Sequence, residues 1–129
     1  MAEGSFVTVF NCMDGRTQEP VAAWMKEQFS VDFVDTITTP GPDKVLSDAG
    51  SDLANLLKDR MGISVNKHGS QVAAVIAHDD CAGNPVSKEE HLQMLKTAVE
   101  TVVSWGFPVK VIGLWVSAPN WDVEQVVEG

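Results

Sequence analysis

Cysteine is scarce in this chain, with only Cys12 and Cys81 among 129 residues. The opening MAEGSFVTVF lacks the basic start and long apolar stretch of a secretory leader, so a cytoplasmic protein without a structural disulfide is expected. Basic residues are scarce too: nine Lys and Arg stand against eighteen Asp and Glu, a net charge of -9. Phosphate backbones are bound by clustered Lys and Arg, and no such cluster occurs, which argues against a nucleic-acid partner. No apolar run approaches the about 20 residues that span a bilayer, so no membrane partner is expected either. Glycine-rich nucleotide loops are missing, as are internal repeats and low-complexity segments. Cys12 and Arg16 are separated by three residues, too few for the C-x5-R loop that wraps a phosphate in phosphatases.

What is present suits one α/β domain spanning residues 1–129. Hydrophobic residues make up 44% and charged residues 21%, enough apolar surface for a core. Ser5 to Asn11, Val31 to Ile37, Gln71 to Ala77 and Val109 to Val116 read as strands, and the apolar QVAAVIA suggests one buried on both faces. WDVEQVV suggests a short final strand. Helical stretches alternate with them: QEPVAAWMKEQF, with Pro20 in its first turn; a segment carrying Leu46, Leu53, Leu56, Leu57 and Met61 that Gly62 is expected to stop; and a helix from Ser87 to Trp105. The last begins with a capping box, Ser87 and Glu90, and is stopped by Gly106 and Pro108. This alternation implies right-handed crossovers, hence a three-layer α-β-α fold around a mainly parallel sheet of four to five strands. In such sheets ligands bind beyond the carboxyl ends of the strands.

Two loops at those ends carry the chemistry. One reads Cys12-Met13-Asp14-Gly15-Arg16 and the other His78-Asp79-Asp80-Cys81. Two thiolates and an imidazole form a good zinc set, and three protein ligands leave the fourth tetrahedral position for water or substrate. Singly, each cysteine would be read as a buried apolar filler. The strand-end placement and the partner His78 favour zinc. Arg16 can hold the Asp14 carboxylate by a bidentate bond and keep it off that fourth position. Asp80 is expected to orient its loop through backbone hydrogen bonds and Asp79 to be exposed. His68, in a polar loop, and His91, near a helix start, are expected on the surface. Trp24, Trp105, Trp115 and Trp121 are expected in the core or at an interface.

C-x-D-x-R followed by H-x-x-C resembles the zinc-site signature of β-class carbonic anhydrases, and Ala77 to Gly83 (AHDDCAG) is similar to their G-H-x-D-C-G-G. The resemblance implies zinc ligation by Cys12, His78 and Cys81, with Asp14 and Arg16 as the acid–arginine pair beside the metal. It implies reversible hydration of carbon dioxide to bicarbonate by zinc-bound hydroxide, in a homodimer or larger homo-oligomer. Hydrolysis of carbonyl sulfide or carbon disulfide, and a non-catalytic zinc-binding regulatory domain, are the alternatives. Thr38-Thr39-Pro40-Gly41 stands where the family commonly has an R-N-A-G-like loop. The extra chain between the two motifs is expected around Asp59 to Gln71. With eleven residues before Cys12, the helical arm found in many members is not expected.

Overall fold

The apolar runs of the sequence become the strands and helices of a three-layer sandwich in the protein's structure, a computed structural model that describes residues 3–129. The β-branched start forms strand β1 (Phe6–Asn11), followed by a 3-10 turn (Gly15–Thr17) and helix α1 (Gln18–Phe29). Then come β2 (Phe33–Thr38), a short α2 (Pro42–Ser47), α3 (Asp52–His68), β3 (Val72–His78), α4 (Lys88–Ser104), β4 (Lys110–Ser117) and β5 (Asp122–Glu128). The five strands lie in the order β2-β1-β3-β4-β5. All neighbours pair in parallel except β5, which runs antiparallel to β4 with an irregularity at Gly113/Leu114. The expected mainly parallel α/β sheet is therefore the observed one. Among the described residues, no helix is long and apolar enough to cross a membrane.

Side chains alternate across the sheet, as the two-residue period of a strand requires. Val7, Val9, Ala74, Ile76 and Ile112 face Val21 and Met25 of α1 on one side. Phe10, Val75 and Trp115 meet Leu57, Met61, Leu95 and Val99 of α3 and α4 on the other. Every residue of β3 is buried, which explains its unbroken apolar sequence. Because β1 is followed by a helix on one face and β2 by helices on the other, a crevice opens between the carboxyl ends of β1 and β3, a topological switch point.

Three expectations need correction. Gly62 does not stop its helix; α3 runs on to His68 and ends at Gly69, whose φ of 73° suits a left-handed cap. One glycine inside a helix costs only about 1 kcal/mol, and Met61, Ser64 and Val65 continue the buried stripe beyond it. The segment from Asp59 to His68 is thus helical, and His68 is the last residue of α3 rather than part of a loop. His91 departs further: it is 2% exposed, inside the protein, because the first turn of α4 packs over the end of the sheet.

Candidate metal centre

β1 ends one residue before Cys12, His78 closes β3, and Cys81 follows in the next turn. Parallel pairing of these adjacent strands brings the three side chains together across 66 or more residues of chain. All three are buried. The Cys12 and Cys81 sulfurs stand 3.9 Å apart, and the candidate ligand atoms of the trio all lie within 4.8 Å of one another. Two sulfurs bound tetrahedrally to one zinc at ~2.3 Å would sit roughly 3.8 Å apart. His78 is oriented for the same task. Its Nδ1–H donates to the Asp79 carbonyl at 2.6 Å, which leaves Nε2 buried and without a hydrogen-bond partner. An imidazole whose second nitrogen is fixed in this way presents a lone pair to a metal. The donor set and the orphaned nitrogen fit zinc.

Charge in the trio is arranged to favour a thiolate. Burial pushes the Cys12 thiol up, but the adjacent His78 imidazole and the backbone of Gly41 and Asp14 outweigh it and bring Cys12 down to about 7. Burial disfavours the charged form of His78, yet the Cys12 contact, the Asp79 carbonyl and the Cys12 and Asp14 charges raise its pKa overall. Cys81 goes the other way: burial, then the neighbouring Cys12 charge, push its thiol up. Two thiolates this close repel each other, and a bound dication relieves that repulsion.

Asp14 is held beside the trio but is not part of it. It caps the 3-10 turn by accepting from the Arg16 amide at 2.9 Å. Arg16 Nε and Nη2 donate to its two oxygens at 3.0 and 2.7 Å, the fork geometry that a carboxylate accepts best. The side-chain bond from Arg16 chiefly holds the Asp14 carboxyl down at about 2. The remaining donors of Arg16 reach across to the second loop, Nη1 to Asp80 Oδ2 and Nη2 to the Asp80 carbonyl, both at 3.2 Å. Below it lies Trp121, with the guanidinium carbon 4.5 Å from the ring centre. Asp80, with φ at 56°, therefore contributes its side chain to the site as well as shaping its loop. Asp79 is only half-exposed, and its Oδ2 accepts from the Ala118 amide at 3.0 Å.

Trp121, in the β4–β5 turn, is partly buried against the core as expected, and its ring also reaches the site, standing edge-on to His78. Nothing in the sequence distinguished it from Trp24 and Trp105, which are partly buried against the core, or from buried Trp115. Beside the trio a cleft of ≈ 520 Å³ is lined by Cys12, Met13, Asp14, Pro40, Ala82 and Gly83. The glycines permit it. A Cβ on Gly83 would stand 2.6 Å from the Pro40 Cβ, and Gly41, at φ 58°, faces the Gly83 carbonyl just as closely.

The fold has known counterparts. The chain belongs to the family described as putative carbonic anhydrase, whose model matches residues 2–127. Its fold is that of β-carbonic anhydrases. It is similar to the crystal structure of β-carbonic anhydrase isoform I from Trichomonas vaginalis, with TM-score 0.67, 15% identity, and 96% of this chain and 82% of that one covered. A tetrameric β-carbonic anhydrase from Sordaria macrospora is similar at TM-score 0.58 and 8% identity, covering 95% and 80% of the two chains. The carbonic anhydrase of Streptococcus mutans is similar at 0.55 and 14%, covering 93% and 80%. No curated protein sequence matches the chain.

Proposed function

We propose that this chain is a zinc-dependent carbonic anhydrase, acting as one unit over residues 1–129, that interconverts carbon dioxide and bicarbonate. Cys12, His78 and Cys81 hold the metal; Asp14 and Arg16 govern its open position. The observation that carries the reading is the buried trio, with sulfurs 3.9 Å apart and a partnerless His78 Nε2. Cys12, His78 and Cys81 would hold zinc, whose chemistry when bound would be to acidify a water from a pKa of 15.7 to about 7. The residues of the chain do the rest. Arg16 keeps the Asp14 carboxylate turned away from the metal position. A carboxylate held at about 2 is too weak a base to take a proton near neutrality, but it can accept a hydrogen bond there and orient the attacking oxygen. Met13, Pro40 and Ala82 give the cleft an apolar wall suited to a small, apolar substrate.

The same reading makes the protein a cytoplasmic homodimer or larger homo-oligomer. Two thiols kept free for a metal suit a reducing compartment. Met13 is 65% exposed at the cleft mouth, and Phe33, Leu53, Leu56 and Ile63 are exposed apolar groups that a second copy would cover. A dimer mass or greater by light scattering at micromolar concentration is the expected result, and a monomer would remove this part.

Elemental analysis should find close to one zinc per chain, most of it lost in Cys12→Ser and Cys81→Ser. Stopped-flow hydration of carbon dioxide should rise through the pKa of zinc-bound water, about 7. A zinc-loaded wild type inactive at every pH towards carbon dioxide, but active towards carbonyl sulfide or carbon disulfide, moves the assignment to that substrate. Inactivity towards all three makes it a zinc-binding module.

A further inference from the structure

A second polar cluster lies behind the trio, wholly inside the protein. Asp43 in α2 is fully buried, Asn84 is 1% exposed and His91 in α4 is 2% exposed. His91 Nδ1–H donates to Asp43 Oδ2 at 2.6 Å, and Asn84 Nδ2 donates to the same oxygen at 3.1 Å. With both nitrogens acting as donors, their own 3.4 Å approach is not a bond. Asn84 Nδ2 also lies 3.2 Å from the Met94 sulfur. Burying a carboxylate here is expensive, the more so because Asp43 Oδ1 has no partner. An apolar trio of the same volume would fill the space at lower cost.

What the cluster joins is informative. Asn84 ends the turn of the second cysteine, its amide donating to the Cys81 carbonyl at 3.2 Å. Asp43 follows the Thr39–Gly41 loop, which is tied to the first cysteine by the Thr39 amide donating to the Asn11 carbonyl at 3.2 Å. Between them the backbones touch at Gly41 and Gly83. The single oxygen Asp43 Oδ2 thus bridges the two cysteine-bearing loops, and His91 anchors it from α4.

We propose that Asp43, Asn84 and His91 are positioning residues, a buried strut that sets the separation of the Cys12 and Cys81 loops and hence how firmly the pair retains a metal. The inference rests on the metal-site reading above. Both bonds end on one oxygen, so an amide can replace the carboxylate: Asp43→Asn keeps the strut and Asp43→Leu removes it. Asn84→Ala cuts the bridge while leaving the Asp43–His91 pair intact, and it is the variant expected to fold without loss.

The experiment has three readouts. Zinc release to a competing chelator should be about tenfold faster in Asn84→Ala and Asp43→Leu, with Asp43→Asn close to wild type, and the thiolate-to-cobalt charge-transfer band of the cobalt-loaded protein should shift in the same two variants. In the metal-free chain, labelling of both thiols by an aromatic disulfide reagent should accelerate by about the same factor, because the loops open more often. Release, labelling and cobalt spectrum all at wild-type values in folded Asn84→Ala would overturn the strut, as would Asp43→Asn behaving like Asp43→Leu. A wild type that retains no zinc would sink the metal reading instead, while the labelling rates would still decide the strut.

Discussion

Two histidine–aspartate pairs of the same length stand at opposite ends of the sheet. His91 and Asp43 meet at 2.6 Å beyond the carboxyl ends of the strands, and His68 and Asp35 meet at 2.6 Å near the amino ends. The first pair is 2% and 1% exposed, the second 32% and 24%. Distance does not distinguish them; solvent does. Water screens the His68–Asp35 pair and solvates either partner if the other is lost. Inside the protein neither partner has that alternative, so the inner pair is committed to its geometry. Each end of the sheet also has a recess. The one beside the trio is lined in part by Cys12, whereas the ≈ 380 Å³ recess at the amino end is lined by residues such as Gly4, Phe6, His68 and Gly69 and by no cysteine.

The comparison can be broken by unfolding experiments. Truncating His91 to Ala should lower stability by about 3–5 kcal/mol in urea, since it leaves the Asp43 carboxylate buried with only Asn84. An effect no larger than that of His68→Ala would refute the burial argument.

The Arg16–Asp14 pair sharpens it, being an exposed ion pair at the functional end, with Arg16 44% exposed. Arg16→Ala should change stability by less than about 1 kcal/mol, as exposed pairs do. Hydration at matched zinc content should nevertheless fall more than tenfold, a loss above about 1.4 kcal/mol in the barrier, because the freed Asp14 takes the open position. Equal rates for variant and wild type would show that the pair only closes its loop.

His68→Ala should cost about 1 kcal/mol or less and leave zinc content unchanged. Part of that cost would be the stacking of His68 on Phe6, whose ring centres are 4.3 Å apart. Loss of metal in this variant would show that the two ends are coupled.

The smallest expected effect concerns pH. The native Asp14 carboxyl is held at about 2, below its ordinary 3.8, so its contribution is complete above the ordinary value and is lost as pH falls from there through about 2. Titration of the Asp14 carboxyl carbon by NMR should therefore be flat from pH 5 to 9. A step near neutrality would mean that Asp14, and not the metal site, sets the rate profile.

Much of the site was legible because its chemistry is local in sequence. Cys12, Asp14 and Arg16 sit within one turn, as do His78 and Cys81, and strands recognised by their β-branched runs end just before them. The parallel direction of β1 to β4 needed only the helices between them, whereas the order β2-β1-β3-β4-β5 came from the tertiary structure. Helix ends were less legible: Gly62 and Gly69 are the same residue, and only the backbone at Gly69 turns left-handed.

The sequence by itself determined the α/β class, the strand-end loops and the cluster of metal-type ligands, because period, capping and ligand spacing act over a few residues. Only the tertiary structure decided that Trp121 lies under Arg16, that β5 returns antiparallel, and that Asp43, Asn84 and His91 share one oxygen. The contacts of Trp121 with Arg16 and of Asp43 with Asn84 and His91 join residues 41 to 105 positions apart in places with no local pattern. They form only once the sheet has brought its ends together and burial has removed water as the competing partner.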